Sequence, residues 1–193
     1  MQLRLIATGC ALFIAGFALS PMLMPHLSGL LQQQVTQPYA GQQNREISSL
    51  SPSDIDALVN GDGWGLAKPA ELNGFPGPAH VLELADKLSL EDEQRTKIET
   101  SFATMNAQAK QLGTALVEAE AALDEAFRSR SIDKETLEQR LAVAEELRSA
   151  LRGVHLAAHL EVTPLLTDEQ IIAYTTLRGY NGDHGSHGGH QGH

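Results

Sequence analysis

A chain of 193 residues with a formal net charge of −10 has room for one domain plus tails, and its acidity argues against nucleic acid as a partner. Aromatic residues make up 5% of it, which excludes a thick globular core; the 42% hydrophobic content, largely Ala and Leu, suits thin helix-on-helix packing. The only cysteine, Cys10, lies in an N-terminal apolar run, so thiolate zinc sites, disulfides and cysteine nucleophiles are absent from the rest of the chain.

In chain order, Arg4 precedes an apolar run from Leu5 to Met24, which at ~20 residues stands at the boundary between a signal peptide and a spanning helix. Residues 1–27 therefore read as a signal peptide or membrane anchor. The best small-residue cleavage site, Ala18-Leu19-Ser20, would leave Pro21 at the cut, which favours the anchor, with Arg4 inside and the body exported. Residues 28–50 are polar and Gln-rich and read as a tether. Ser51, Pro52 and Asp54 then predict a capped short helix ending at Gly61. The Gly- and Pro-dense stretch GDGWGLAKPAELNGFPGPAH predicts an ordered, irregular connector.

The apolar positions Ile98, Phe102, Met105, Ala109, Leu112, Leu116, Ala119, Leu123 and Ala126 alternate spacings of four and three, a heptad seam. A helix of this span is ~55 Å long. RSRSID breaks the pattern, Asp133 is a candidate N-cap, and a second seam follows at Leu137, Leu141, Ala144, Leu147, Leu151, Val154 and Ala158. Two long amphipathic helices with a short turn predict an all-α fold, an antiparallel hairpin with short flanking helices. Pro164 ends the second helix, and Thr167 with Gln170 forms a capping box for a last short helix. A similar start occurs in LSLEDEQ, residues 88–94. These elements place a helical domain at residues 51–180.

Residues 181–193 carry His184, His187, His190 and His193 at every third position, separated by Gly, Ser and Gln. Such a composition predicts a disordered tail able to gather several imidazoles around Cu(II), Ni(II) or Zn(II). Ligation needs neutral imidazole, so affinity falls as pH drops through the histidine range.

The paired helix starts carry a resemblance. An L-T-x-x-Q motif before and after a long helical hairpin resembles the Spy/CpxP superfamily, whose metal-associated members include ZraP-like and CnrX-like proteins. Leu166-Thr167-Asp168-Glu169-Gln170 matches in full; Leu90-Glu91-Asp92-Glu93-Gln94 has Glu91 in place of Thr. The stretches AELNGFPGPAHVLELADKL and LRGY are similar to the metal-associated branch, and the resemblance spans roughly residues 39–180. It implies a periplasmic helical hairpin, often a homodimer, acting as an ATP-independent chaperone or metal buffer in envelope stress or metal resistance. Its partners would be unfolded client proteins, with the N-terminal segment in the inner membrane. The alternative it offers is a membrane-anchored heavy-metal sensor that regulates a membrane signalling partner.

His155 and His159 lie at i and i+4, on one face of the second long helix and each one position past a seam residue. Hairpin pairing brings Met105 opposite them, with Glu99 about two turns away, while His80 begins the preceding helix and folds back over the same end. Two readings stand side by side: a metal chelate, or two polar residues facing water at a helix edge. Under the resemblance, His80, Glu99 and His155 would correspond to sensor ligands, with His159 in place of a methionine, and the two readings stay open. Catalysis is disfavoured. HLAAH lacks the glutamate of a zinc-peptidase H-E-x-x-H, and there is no nucleophile elbow, P-loop or dinucleotide fingerprint.

Overall fold

The computed structural model describes residues 37–180; the expected N-terminal segment, most of the tether and the histidine tail lie outside them. Contacts divide the chain after Ala40. Gln37–Ala40 form a single turn, and the helical body begins at Gly41. The body is all-α, with no strand among the described residues beyond an isolated bridge between Ile47 and Leu50. None of its helices is long and apolar enough to cross a membrane.

Its helices are α1 (Pro52–Asn60), α2 (Lys68–Glu71), α3 (Pro78–Glu83), α4 (Asp92–Arg128), α5 (Lys134–Val162) and α6 (Asp168–Leu177). Local chemistry sets their ends. The Ser51 hydroxyl accepts from the Asp54 amide at 3.2 Å and the Asp54 carboxylate accepts from the Ser51 amide at 2.8 Å, starting α1. Gly61, at φ 71°, stops it, with Gly61 and Asp62 amides bonding back to Leu58 and Ala57 carbonyls. Arg130, at φ 55°, closes α4 in the same pattern. Asp133 caps α5 through the Thr136 amide.

Helices α4 and α5 pack side by side in opposite directions: Ser101 meets Glu161 at one end and Glu120 meets Arg148 further along. The inward face of α4 is Ile98, Met105, Ala109, Gly113, Leu116, Glu120 and Ala126. This departs from the heptad reading at Phe102, Leu112, Ala119 and Leu123, all only half-buried. The reason is that α1 also packs on α4. Gly113 is where they touch: a Cβ there would lie 2.0 Å from the Leu58 carbonyl oxygen. Glu120 is buried because the Ser49 hydroxyl and Arg148 guanidinium both bond it, and Arg148 lies 5.2 Å over the Trp64 ring. On α5 the expected seam residue Leu141 is exposed.

Residues 41–50 correct the tether reading. Ile47 and Leu50 are buried against α1, α4 and α5, so the domain starts well before Ser51. Their apolar side chains are too few and too close to polar neighbours to stand out as a pattern.

The two motif copies meet. Gln94 donates to the Gln170 side-chain oxygen at 2.9 Å and Gln170 donates back at 3.0 Å. Gln94 also donates to the Leu165 carbonyl at 2.7 Å, and Gln170 to the Leu88 carbonyl at 3.2 Å. Each side-chain oxygen further accepts the amide at its own helix start, Glu91 or Thr167. One glutamine thus caps its own helix and ties the turn before the other.

The apolar interior falls into two clusters. One gathers Leu50, Leu58, Leu116 and Leu151; the other gathers Val81, Ile98, Val162 and Tyr174. Along α5, His155 and His159 occupy the interval between Leu151 and Val162, and along α4 Met105 occupies the matching interval. The gap between the clusters is where the site forms.

Candidate functional site

A cavity of about 630 Å3 opens in that gap, walled by the connector after α1, by α2, α3 and α4, by His155 and His159, and by Tyr180. Met105 and His80 line it with the two histidines, as hairpin pairing predicts. Glu99 does not. It is exposed on α4, because its neighbour Ile98 takes the inward position and the next residue on a helix points some 100° away.

The solvated-edge reading of His155 and His159 is overturned, since they are 3% and 7% exposed. α5 is covered on this side by the irregular connector, which sequence alone does not place. His159 Nδ1 lies 2.6 Å from the Phe75 carbonyl oxygen, which can only accept, so Nδ1 carries a proton and Nε2 is the nitrogen left uncommitted to it. That Nε2 faces Gly77, where a Cβ would lie 2.8 Å from it. Glycine leaves the imidazole its room. His155 Nε2 is buried with no hydrogen-bond partner, and burial, then repulsion from His159, holds this imidazole below the usual histidine range. Burial of His155 thus favours the neutral form that metals take.

His80 is engaged differently. Its Nδ1 lies 3.3 Å from Glu71 Oε1 and its Nε2 lies 3.3 Å from Arg178 Nη2, so each ring nitrogen has a polar neighbour. The centre of that network is Glu71, which the sequence reading did not single out. Its Oε1 accepts from the Tyr174 hydroxyl at 2.6 Å and the Tyr180 hydroxyl at 3.0 Å, with Arg178 Nε 3.4 Å away. Burial pushes the Glu71 carboxyl up, but the bonds from His80, Tyr174 and Tyr180 outweigh it and hold the group down at about 2. Its other oxygen, Oε2, is buried without a hydrogen bond, 3.9 Å from His159 Nδ1.

Comparison with family models, with curated proteins and with solved structures gives no match. The site therefore rests on its own chemistry. Among the described residues no three His, Cys, Asp or Glu side chains converge as a ligand set, consistent with His80 being held by Arg178 and Glu71 and Glu99 lying outside. His184, His187, His190 and His193 lie outside the described residues. Around the cavity the carboxylates of Asp62, Glu71 and Glu83 outnumber the ammonium of Lys68, which suits a cation over an anion. The segments AELNG and LRGY, some hundred residues apart in the chain, meet at Glu71, Arg178 and Tyr180.

Proposed function

We propose that this protein is an exported, Spy/CpxP-like helical protein of the periplasm that binds a divalent transition metal, Cu(II), Ni(II) or Zn(II), and acts as an ATP-independent chaperone or metal buffer. The observation that carries the metal part is the buried, unpartnered Nε2 of His155, one helical turn from a His159 whose Nδ1 is committed to a backbone carbonyl. A ligating histidine commonly donates its other N–H in this way, which orients the ring and raises its basicity. In this reading His155 and His159 supply the two nitrogens, and the acidic rim attracts the ion. The two-motif clasp supports the likeness to the superfamily, the N-terminal apolar run supports export, and a homodimer is the expected assembly. Client binding rests on the exposed apolar side chains of the helices, among them Leu160 and Ile172.

The test is a metal titration with thermal melting on the chain and on a truncation ending at residue 180. A ligand that binds only the folded state raises stability by about 2.7 kcal/mol at a hundredfold excess over its Kd. We expect the truncated chain to retain a Cu(II)- or Zn(II)-dependent rise in Tm, and H155Q or H159Q to remove most of it. No metal-dependent shift in either chain would overturn the metal reading. Suppression of aggregation of an unfolding client, measured without metal, tests the chaperone part separately.

A further inference from the structure

Among the described residues no third His, Cys, Asp or Glu joins His155 and His159 in a ligand set. His80 is held between Glu71 and Arg178. Glu71 spends Oε1 on two tyrosine hydroxyls, and its Oε2 lies 3.9 Å from His159 Nδ1, beside the protonated edge of the ring and not the Nε2 edge. Asp62 and Glu83 are exposed at the rim. Zinc takes four ligands, and Cu(II) and Ni(II) favour a tetragonal set of nitrogen and oxygen donors, so each would fill its remaining positions with water here.

A donor of another kind stands across from the two imidazoles. Met105 is the only sulfur-bearing side chain after Met24. It is 8% exposed and lines the cavity together with His155 and His159. The pairing of α4 with α5 sets its level. Ser101 bonds Glu161 across the two helices at 3.0 Å; four residues on along α4 and four back along α5, Met105 comes level with Ala157, midway between the histidines. A buried methionine ordinarily fills an apolar gap. Met105 instead belongs to neither apolar cluster, and it occupies the interval that holds the unpartnered Nε2 of His155. Two imidazoles from one helix and a polarizable thioether from its neighbour are a soft donor set, the kind that selects Cu(I).

We propose that the cavity is a Cu(I) site whose donors are Nε2 of His155, Nε2 of His159 and Sδ of Met105, and that it takes Ag(I) by the same chemistry. The inference rests on the metal reading above and deepens it: of the ions that reading admits, copper has the monovalent state that three soft donors satisfy without water. The ion enters already reduced, so binding itself transfers no electron. A dry, three-donor cavity also separates copper from zinc, which would have to bring water into a buried space.

The experiment uses the full chain carrying C10S and H184Q/H187Q/H190Q/H193Q, so that neither the thiol nor the C-terminal imidazoles compete for the ion. Cu(I) is supplied under ascorbate without oxygen and measured by competition with bicinchoninate; Ag(I) and Zn(II) are titrated calorimetrically in parallel. M105L keeps the apolar volume and removes the sulfur, so it folds where H155Q fails to, and circular dichroism reports both. We expect M105L to weaken Cu(I) and Ag(I) by about tenfold or more while leaving Zn(II) within about threefold, and H155Q to weaken all three. Copper K-edge absorption of the parent should show a sulfur neighbour that M105L abolishes. Unchanged Cu(I) affinity in M105L would overturn the thioether ligand and leave the two-histidine reading in place. An equal loss of Cu(I) and Zn(II) would assign Met105 to packing and overturn the proposal in the same way. No binding of Cu(I), Ag(I) or Zn(II) by the parent would overturn both this proposal and the cavity reading beneath it.

Discussion

At Gly113 the longest helix gives up a side chain in its middle, a choice that lowers helix propensity and needs a packing reason. The reason is the backbone of α1, since a Cβ on Gly113 would collide with the Leu58 carbonyl. Gly153 of α5 is the contrast: it is exposed and helical, and a methyl group added there would meet nothing within 4 Å. Gly113→Ala is expected to destabilise by about 1–3 kcal/mol through overpacking, despite its better propensity. Gly153→Ala is expected to stabilise by about 0.5–1 kcal/mol. Urea denaturation of the two variants checks both signs, and equal effects would show that α1 does not press on α4.

At the scale of elements, the paired glutamines decide how the two ends of the hairpin are closed. Gln94 and Gln170 each bond the other's side chain, a carbonyl of the other's preceding turn, and the amide at their own helix start. Removing one leaves partly buried carbonyls and the surviving amide without partners. Q94A and Q170A are each expected to lose about 1–3 kcal/mol. The double variant should lose less than their sum by about 1 kcal/mol, because the reciprocal bond is counted in both. A double-mutant cycle by chemical denaturation measures that coupling, and strict additivity would mean the two motifs act independently.

At the scale of the whole molecule, Glu71 joins α2 to the end of α6 through Tyr174, Tyr180 and Arg178. Its carboxyl is held at about 2 in the folded state against an ordinary 4.5. The unfolded chain therefore binds more protons between these values, so stability rises with pH across that window. The contribution is complete above about pH 5 and is lost as the pH falls from there towards 2, on the order of 1–3 kcal/mol. E71Q is expected to flatten the acid limb of a stability-against-pH curve while lowering stability at neutral pH. A wild-type acid limb retained in E71Q would assign it to other carboxylates.

Much of the helical frame was legible in the sequence, because its signals are local. Ser51 with Asp54, Asp133, and Thr167 with Gln170 cap the helices they were expected to cap, Gly61 stops α1, and the apolar spacing of α4 and α5 marks their long amphipathic faces. The inward set on α4 was legible only in part: Gly113 displaced Leu112 because a second helix packs on that stripe, and no periodicity within α4 carries the position of α1. The site divides the same way. That His155 and His159 share a face follows from a period of 3.6 residues; that they are buried does not, because the cover comes from the connector around Phe75 and Gly77, some eighty residues away in the chain. Glu71 shows the limit most clearly. Its meeting with Tyr174, Arg178 and Tyr180 spans separations of more than a hundred residues, and only the packing of α6 back over α2 and α3 brings those groups within hydrogen-bond reach. Caps and faces depend on neighbours along the chain, so the sequence by itself determined them; burial and charge networks depend on neighbours in space, and those the tertiary structure decided.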